Sequence, residues 1–189
     1  MSQREDLLVA AKKLLVEKGY HRTTARDIAA ASGAHLGSIG YHYGSKDALM
    51  TAAALEAQGE WGDTIDAALK AAGAGSPGQR LQIAVDELIA SMSRQSEVLV
   101  ASVQAYAQAA FDDDIHRTLS RATQGARTDL AAGVLGIRPD DVDAKTNKGI
   151  GSVVHALIAG LSLQAFLDPE SLPTGEEVVA ALHTLANRG

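Results

Sequence analysis

Apolar positions recur at three- and four-residue intervals along most of the chain, the signature of helices with one buried face. Leu7, Ala11, Leu14 and Leu15 form the first such series, opened by Ser2-Gln3-Arg4-Glu5 and closed by Gly19. The opening reads as a capping box, in which the serine oxygen takes the third amide and the glutamate reaches back to the cap. Thr24-Ala25-Arg26-Asp27 is a second box, and Ser32-Gly33 limits its helix to two turns. A third short helix starts near His35 and ends by Gly44. Ser45 caps a fourth, running through Leu49, Ala53 and Trp61 to about Ala72. After the Gly73-Ala74-Gly75 loop, Ser76-Pro77-Gly78-Gln79 places a serine cap, a proline at the first helical position and a glutamine at the third. Leu81, Val85, Leu88, Ile89 and Met92 share one face of that helix, and another helix covers Val98 to Ala110. Asp112-Asp113-Asp114 opens the next, which Gly136 and Pro139 close. Asp140 or Asp141 starts a long helix that stops before Pro169, and Thr174-Gly175-Glu176-Glu177 boxes the last. No stretch alternates with period two between hairpin turns. The chain is expected to be all-α, with about nine helices. They fall into a compact front group over residues 1–46 and a helical body over residues 47–189.

The stretch from Gly149 to Leu167 has no Asp, Glu, Lys or Arg and is long enough to span a bilayer. Its three glycines, two serines, His155 and Gln164 dilute its hydrophobicity, so a buried or interface helix is expected rather than a membrane span. Cysteine is absent, which excludes disulfides and thiolate chemistry. No basic segment followed by an apolar run marks a secretory signal, and a cytoplasmic location is expected. The net charge of −6 looks unfavourable for a polyanionic partner, but it is unevenly spread. Residues 1–46 hold seven Lys/Arg against four Asp/Glu, a net +3, while the remainder carries −9. A basic front on an acidic body is the asymmetry of a binding head carried by a separate body.

The front group holds the most specific pattern. Ile28 and Ala29 sit on one short helix, Gly33 supplies a tight turn, and Ile39 and Tyr43 face inward on the next. Two short helices with small apolar faces joined by a glycine turn make a helix-turn-helix. His35, Ser38 and His42 then fall at i, i+3 and i+7 and are expected on a face opposite Ile39, with Tyr41 beside them. Such groups suit phosphates and base edges, and Gly37 lets the backbone come close to a groove. Leu36 either packs with Ile39 or touches a thymine methyl. Thr24 and Arg26 at one helix start, and Ser45 with Lys46 at another, are placed to meet phosphates.

The run TTARDIAAASGAHLGSIGYHYGSKDAL resembles the N-terminal signature of the TetR/AcrR family of transcriptional regulators. The matching elements are Thr23-Thr24, Arg26-Asp27-Ile28-Ala29, Ser32-Gly33, Gly37-Ser38, Tyr41-His42-Tyr43 and Gly44-Ser45-Lys46, closing on Ala48-Leu49. The likeness covers about Ser2 to Leu49. It implies binding of double-stranded DNA at a palindromic operator, and a body that binds a small-molecule effector and forms a homodimer. Two positions depart from the family pattern. Gly40 stands where an aromatic is common, and Tyr43 stands where phenylalanine is usual. Tyr43 is expected in the core with its hydroxyl near the surface.

In the body, Ser152, Ala156 and Gly160 form a small-residue stripe that lets two backbones approach. With Val178, Leu182 and Leu185 on the last helix they are expected to line a dimer interface. Trp61, Tyr106, Phe111 and Phe166 are candidate effector-pocket walls, with Met92, Gln104, His155 and Gln164 as further contacts. Sparse charge in these helices points to an apolar or uncharged effector. Asp112-Asp113-Asp114-Ile115-His116 holds metal-capable groups, but consecutive carboxylates diverge around a helix start that their charge suits. No metal or cofactor is expected, and no spacing for a catalytic triad or phosphate-cradling loop is present, so the chain is not expected to be an enzyme. The expected function is a repressor released from its operator by a small effector. The alternative is a helical ligand-binding protein or enzyme without DNA function.

Overall fold

The computed structural model describes residues 2–92 and 96–187; the outermost residues of the two expected segments, 1 and 188–189, lie outside that range. Among the described residues there are nine helices and no strand. They are α1 (Gln3–Lys18), α2 (Ala25–Ser32), α3 (Gly37–Tyr43), α4 (Lys46–Ala71), α5 (Pro77–Met92), α6 (Ser96–Gln108), α7 (Asp113–Leu135), α8 (Ala144–Leu167) and α9 (Gly175–Ala186). The three expected capping boxes form, and Ser76 with Gln79 makes a fourth. Glu5 N–H donates to Ser2 Oγ, Asp27 N–H to Thr24 Oγ1, Gln79 N–H to Ser76 Oγ and Glu177 N–H to Thr174 Oγ1, each third residue bonding back to its cap amide. Ser45 caps α4 through the Ala48 amide at 3.0 Å.

The start of α8 differs from expectation. Pro139–Asp141 form a separate 3-10 turn, and the helix is capped by Asp143, whose carboxylate accepts the Thr146 amide at 2.7 Å. After one turn the helix widens into a π turn over Asn147–Gly151 before resuming as α-helix over Ser152–Leu167. The π turn ends at Gly151, where the α8 and α7 backbones touch; a Cβ there would lie 2.5 Å from the Arg127 carbonyl oxygen.

The chain packs as two units. Met1–Trp61 and Gln95–Ala122 make the first, and Gly62–Arg94 and Thr123–Gly189 the second, so α4 and α7 contribute residues to both. The first unit is built on Leu7, Ala11, Leu14 and Leu15 of α1, Ile28 of α2 and Ile39 of α3. Its core does not stop at residue 46: Leu49, Met50, Ala53 and Ala54 of α4 and Ala101 of α6 belong to the same cluster. Ala105, Ile115 and Leu119 make a smaller cluster with Leu55.

In the second unit α9 lies on α5. Gly175 makes that possible, since a Cβ there would run into the Gln82 carbonyl oxygen, and its own N–H donates to Asp86 Oδ1 at 2.8 Å. Arg80 ties α5 to α7 by donating from Nε to the Gly133 carbonyl at 2.6 Å. By length and composition α8 could cross a membrane, and it buries Val154, Leu161, Ser162 and Ala165 inside the unit. Its other side leaves Val153, Leu163, Phe166 and Leu167 exposed.

Candidate nucleic-acid interface

The turn between α2 and α3 rests on Gly33, which is left-handed (φ 68°) and caps α2 by donating to the Ala29 carbonyl. Only glycine takes that conformation without strain. Ser32 steadies the turn: its Oγ donates to the Ile28 carbonyl and accepts the Ala34 amide. Helix α3 is then fixed from inside by Ile39, nearly fully buried, and by Tyr43. The Tyr43 ring packs against the core while its hydroxyl donates to the Arg4 carbonyl at 2.8 Å, and burial pushes its pKa up. The Arg4 guanidinium lies 5.0 Å from the Tyr43 ring centroid, a cation–π contact.

This anchoring sets which residues face outward, and the outcome departs from the expected face. Helix α3 begins at Gly37 with Leu36 as its cap, so His35 sits in the preceding turn, where its carbonyl accepts the Ser38 amide. Ser38 and His42 are half-buried flanking positions, and His42 Nε2 lies 3.3 Å from Gln3 Oε1 of α1. At 3.6 residues per turn the side opposite Ile39 carries Gly37, Tyr41 and Gly44. All three are exposed, Tyr41 to 86 %. Tyr41 stands edge-on to His42 with ring centroids 4.8 Å apart. Leu36, 49 % exposed, is outside the core cluster rather than packed with Ile39. A Cβ on Gly37 or Gly40 would meet nothing within 4 Å, so neither packing nor backbone angle requires glycine at those positions.

The flanking helix starts are more occupied than their sequence suggests. The Thr24 hydroxyl donates to Asp27 at 2.8 Å while accepting its amide. Asp27 also takes the Lys18 ammonium at 2.8 Å, and that bond, with those from Thr24, holds its carboxyl far below the usual range. Arg26 is exposed beside this network. Ser45 Oγ is engaged as a cap, and the Lys46 ammonium pairs with Asp47 at 2.7 Å. Gln3 and Arg4 are contacts of α3 that no motif marks; they reach it across 39 residues, a separation that no local pattern reports.

The other candidates scatter. Trp61 and Met92 are buried, Gln104 and His155 half-buried, Tyr106, Gln164 and Phe166 exposed, and Phe111 is 88 % exposed. Trp61, Gln104, Tyr106 and Phe111 belong to the first unit, and Met92, His155, Gln164 and Phe166 to the second. Gln104 Oε1 and Arg127 Nε are buried without a hydrogen-bond partner among the described residues. Burial, then the nearby Arg127, pushes the His155 pKa down. Of the dimer candidates, Ala156 and Leu185 are exposed, Ser152, Gly160 and Leu182 half-exposed, and Val178 is buried within its own subunit.

Two family models cover most of the chain. Residues 7–53 match the bacterial regulatory proteins of the tetR family, and residues 77–188 match the C-terminal part of BetI-type transcriptional repressors. The chain belongs to the TetR family. A curated relative, the HTH-type transcriptional regulator BetI of Rhizobium meliloti (strain 1021), is 23 % identical over 163 residues, covering 86 % of this chain and 79 % of its own. Among solved structures, a transcriptional-regulator structure from Rhodococcus sp. RHA1 superposes with a TM-score of 0.72 at 19 % identity, covering 97 % of this chain and 94 % of that one. The multidrug binding protein EbrR, solved with proflavin, gives 0.64 at 22 % identity over 96 % and 99 %. The all-helical TetR fold with its N-terminal helix-turn-helix is therefore established, and the chain is a DNA-binding regulator of transcription rather than an enzyme.

Proposed function

We propose that this TetR-family regulator is a cytoplasmic homodimeric repressor that holds a palindromic operator and releases it on binding a small, mainly apolar or uncharged effector. The observation that carries the DNA half of this reading is the outward face of α3, where Tyr41 stands among Gly37, Gly40 and Gly44 with almost nothing of the fold against it. DNA contact is assigned to Thr24, Arg26, His35, Leu36, Gly37, Ser38, Tyr41, His42, Ser45 and Lys46. Residues 1–46 act as the head and 47–189 as the effector-binding and dimerising body. The match of residues 77–188 to BetI-type repressors supports the sign of regulation.

Dimerisation is supported by the apolar side of α8, which leaves Val153, Leu163, Phe166 and Leu167 uncovered around the small positions Ser152, Ala156 and Gly160. A dimer places two reading helices one helical turn of DNA apart. The effector is assigned to the helices of the body; that a protein of similar fold, EbrR, is described as a multidrug binding protein and was solved with proflavin supports a small-molecule-binding body without fixing the effector's charge. His155 is the polar contact proposed there, within the second unit. Release requires the effector to prefer the conformation that does not fit the operator. Footprinting on the DNA flanking its gene tests the reading: a protected palindrome, lost on adding an effector found by screening, is expected. Protection of no duplex, at any salt concentration, would support a ligand carrier instead.

A further inference from the structure

Tyr20 lies just past the end of α1 and takes no part in the outward face of α3. It is nonetheless almost fully buried, and its hydroxyl is bound twice to α4. It donates to the Asp47 carbonyl at 3.0 Å and lies 3.1 Å from Thr51 Oγ1, itself buried. The ring presents its face to Lys46, whose ammonium sits 5.2 Å from the centroid. The same ammonium is held at 2.7 Å by Asp47. Lys46 is thus a lysine whose charge is confined at the head of α4, with its side chain only 24 % exposed, instead of sweeping freely through solvent. A lysine side chain ordinarily gives up considerable rotamer entropy when it is fixed on a phosphate. A ring that already fixes it lowers that cost.

We propose that Tyr20 is a positioning residue for DNA binding: its ring is the platform that holds the Lys46 ammonium in place to meet a backbone phosphate. The hydroxyl docks the ring on α4, and the π face sets the height and direction of the charge. Asp47 is the counter-charge that Lys46 gives up, or shares, when phosphate arrives. Tyr20 touches no DNA in this arrangement and acts through Lys46 alone. The proposal rests on the phosphate role assigned to Lys46 above.

Salt dependence separates positioning from support of the fold. Each phosphate contact by a cation contributes about 0.9 to the slope of log affinity against log salt. The full-length protein and its selected operator duplex are titrated from low to high salt for wild type, Y20F, Y20L, K46M and the double variant Y20L/K46M. K46M should lower the slope by about 0.9 per head. Y20L should lower it as much, Y20F should keep the wild-type slope, and Y20L/K46M should match K46M. A folded Y20L with the wild-type slope, or losses that add in the double variant, overturns the positioning role while leaving that of Lys46 intact. A wild-type slope in K46M overturns both. Should Y20L fail to fold, the wild type decides by NMR: the Lys46 ε-methylene is expected shifted upfield by the Tyr20 ring, free and on operator. A random-coil shift in the complex overturns the proposal.

Discussion

At the scale of single residues, side chains here carry two kinds of task, and Asp27 shows both. It completes the α2 capping box and accepts the Lys18 ammonium, so its carboxyl titrates far below the ordinary range near about 3.9. A depressed native pKa contributes stability above the unfolded value, and that contribution is lost as pH falls through the native one. The D27N variant should therefore melt below wild type at pH 7, with the gap closing as pH drops below about 4. Thermal melts between pH 7 and pH 2 check this, and a gap independent of pH would remove the assignment. Gly40 is the opposite case, a residue that the fold does not need. With open space around its Cβ position, G40A should stabilise the head by about 0.5–1 kcal/mol. Chemical denaturation measures that gain. A simultaneous loss of operator affinity would show that DNA needs the bare backbone there.

At the scale of elements, the sequence was most legible where the cause is local. Ser2 with Glu5, Thr24 with Asp27, Ser76 with Gln79 and Thr174 with Glu177 all close within three residues, and all four boxes formed. The helix-turn-helix was legible for the same reason, since Gly33 and Ile39 act within a few residues of one another. The anchoring of α3 was not. The expected face was misplaced on local grounds: at 3.6 residues per turn His35, Ser38 and His42 lie toward or beside Ile39, and the side opposite carries Gly37, Tyr41 and Gly44. What no local pattern shows is that Tyr43 is anchored to Arg4 and that His42 lies beside Gln3. Those contacts cross 39 residues. The π turn of α8 was equally invisible, because Gly151 is pressed on Arg127 of another helix. Gly175 makes the same kind of close approach at the start of α9. The substitution G175A should destabilise the second unit by about 1–3 kcal/mol, read by denaturant unfolding. Wild-type stability would mean that α9 can shift on α5 at no cost.

At the scale of the whole molecule, the proposed operator binding depends on two copies. The uncovered apolar side of α8 is the surface assigned to the partner, and Ala156 lies exposed within it. A charged side chain there costs little in one subunit and much in a tight interface. A156E should therefore stay folded but sediment as a monomer at concentrations where wild type is a dimer. Operator affinity should fall by about 100-fold or more as the second head is lost. A dimeric A156E would move the interface elsewhere. The most direct test of the central claim is selection of bound sequences from random duplex DNA by the full-length protein. The prediction is an enriched palindrome whose half-sites are centred about 10 base pairs apart. Recovery of no enriched sequence, or of a single unpaired half-site, would contradict a dimeric operator-binding repressor.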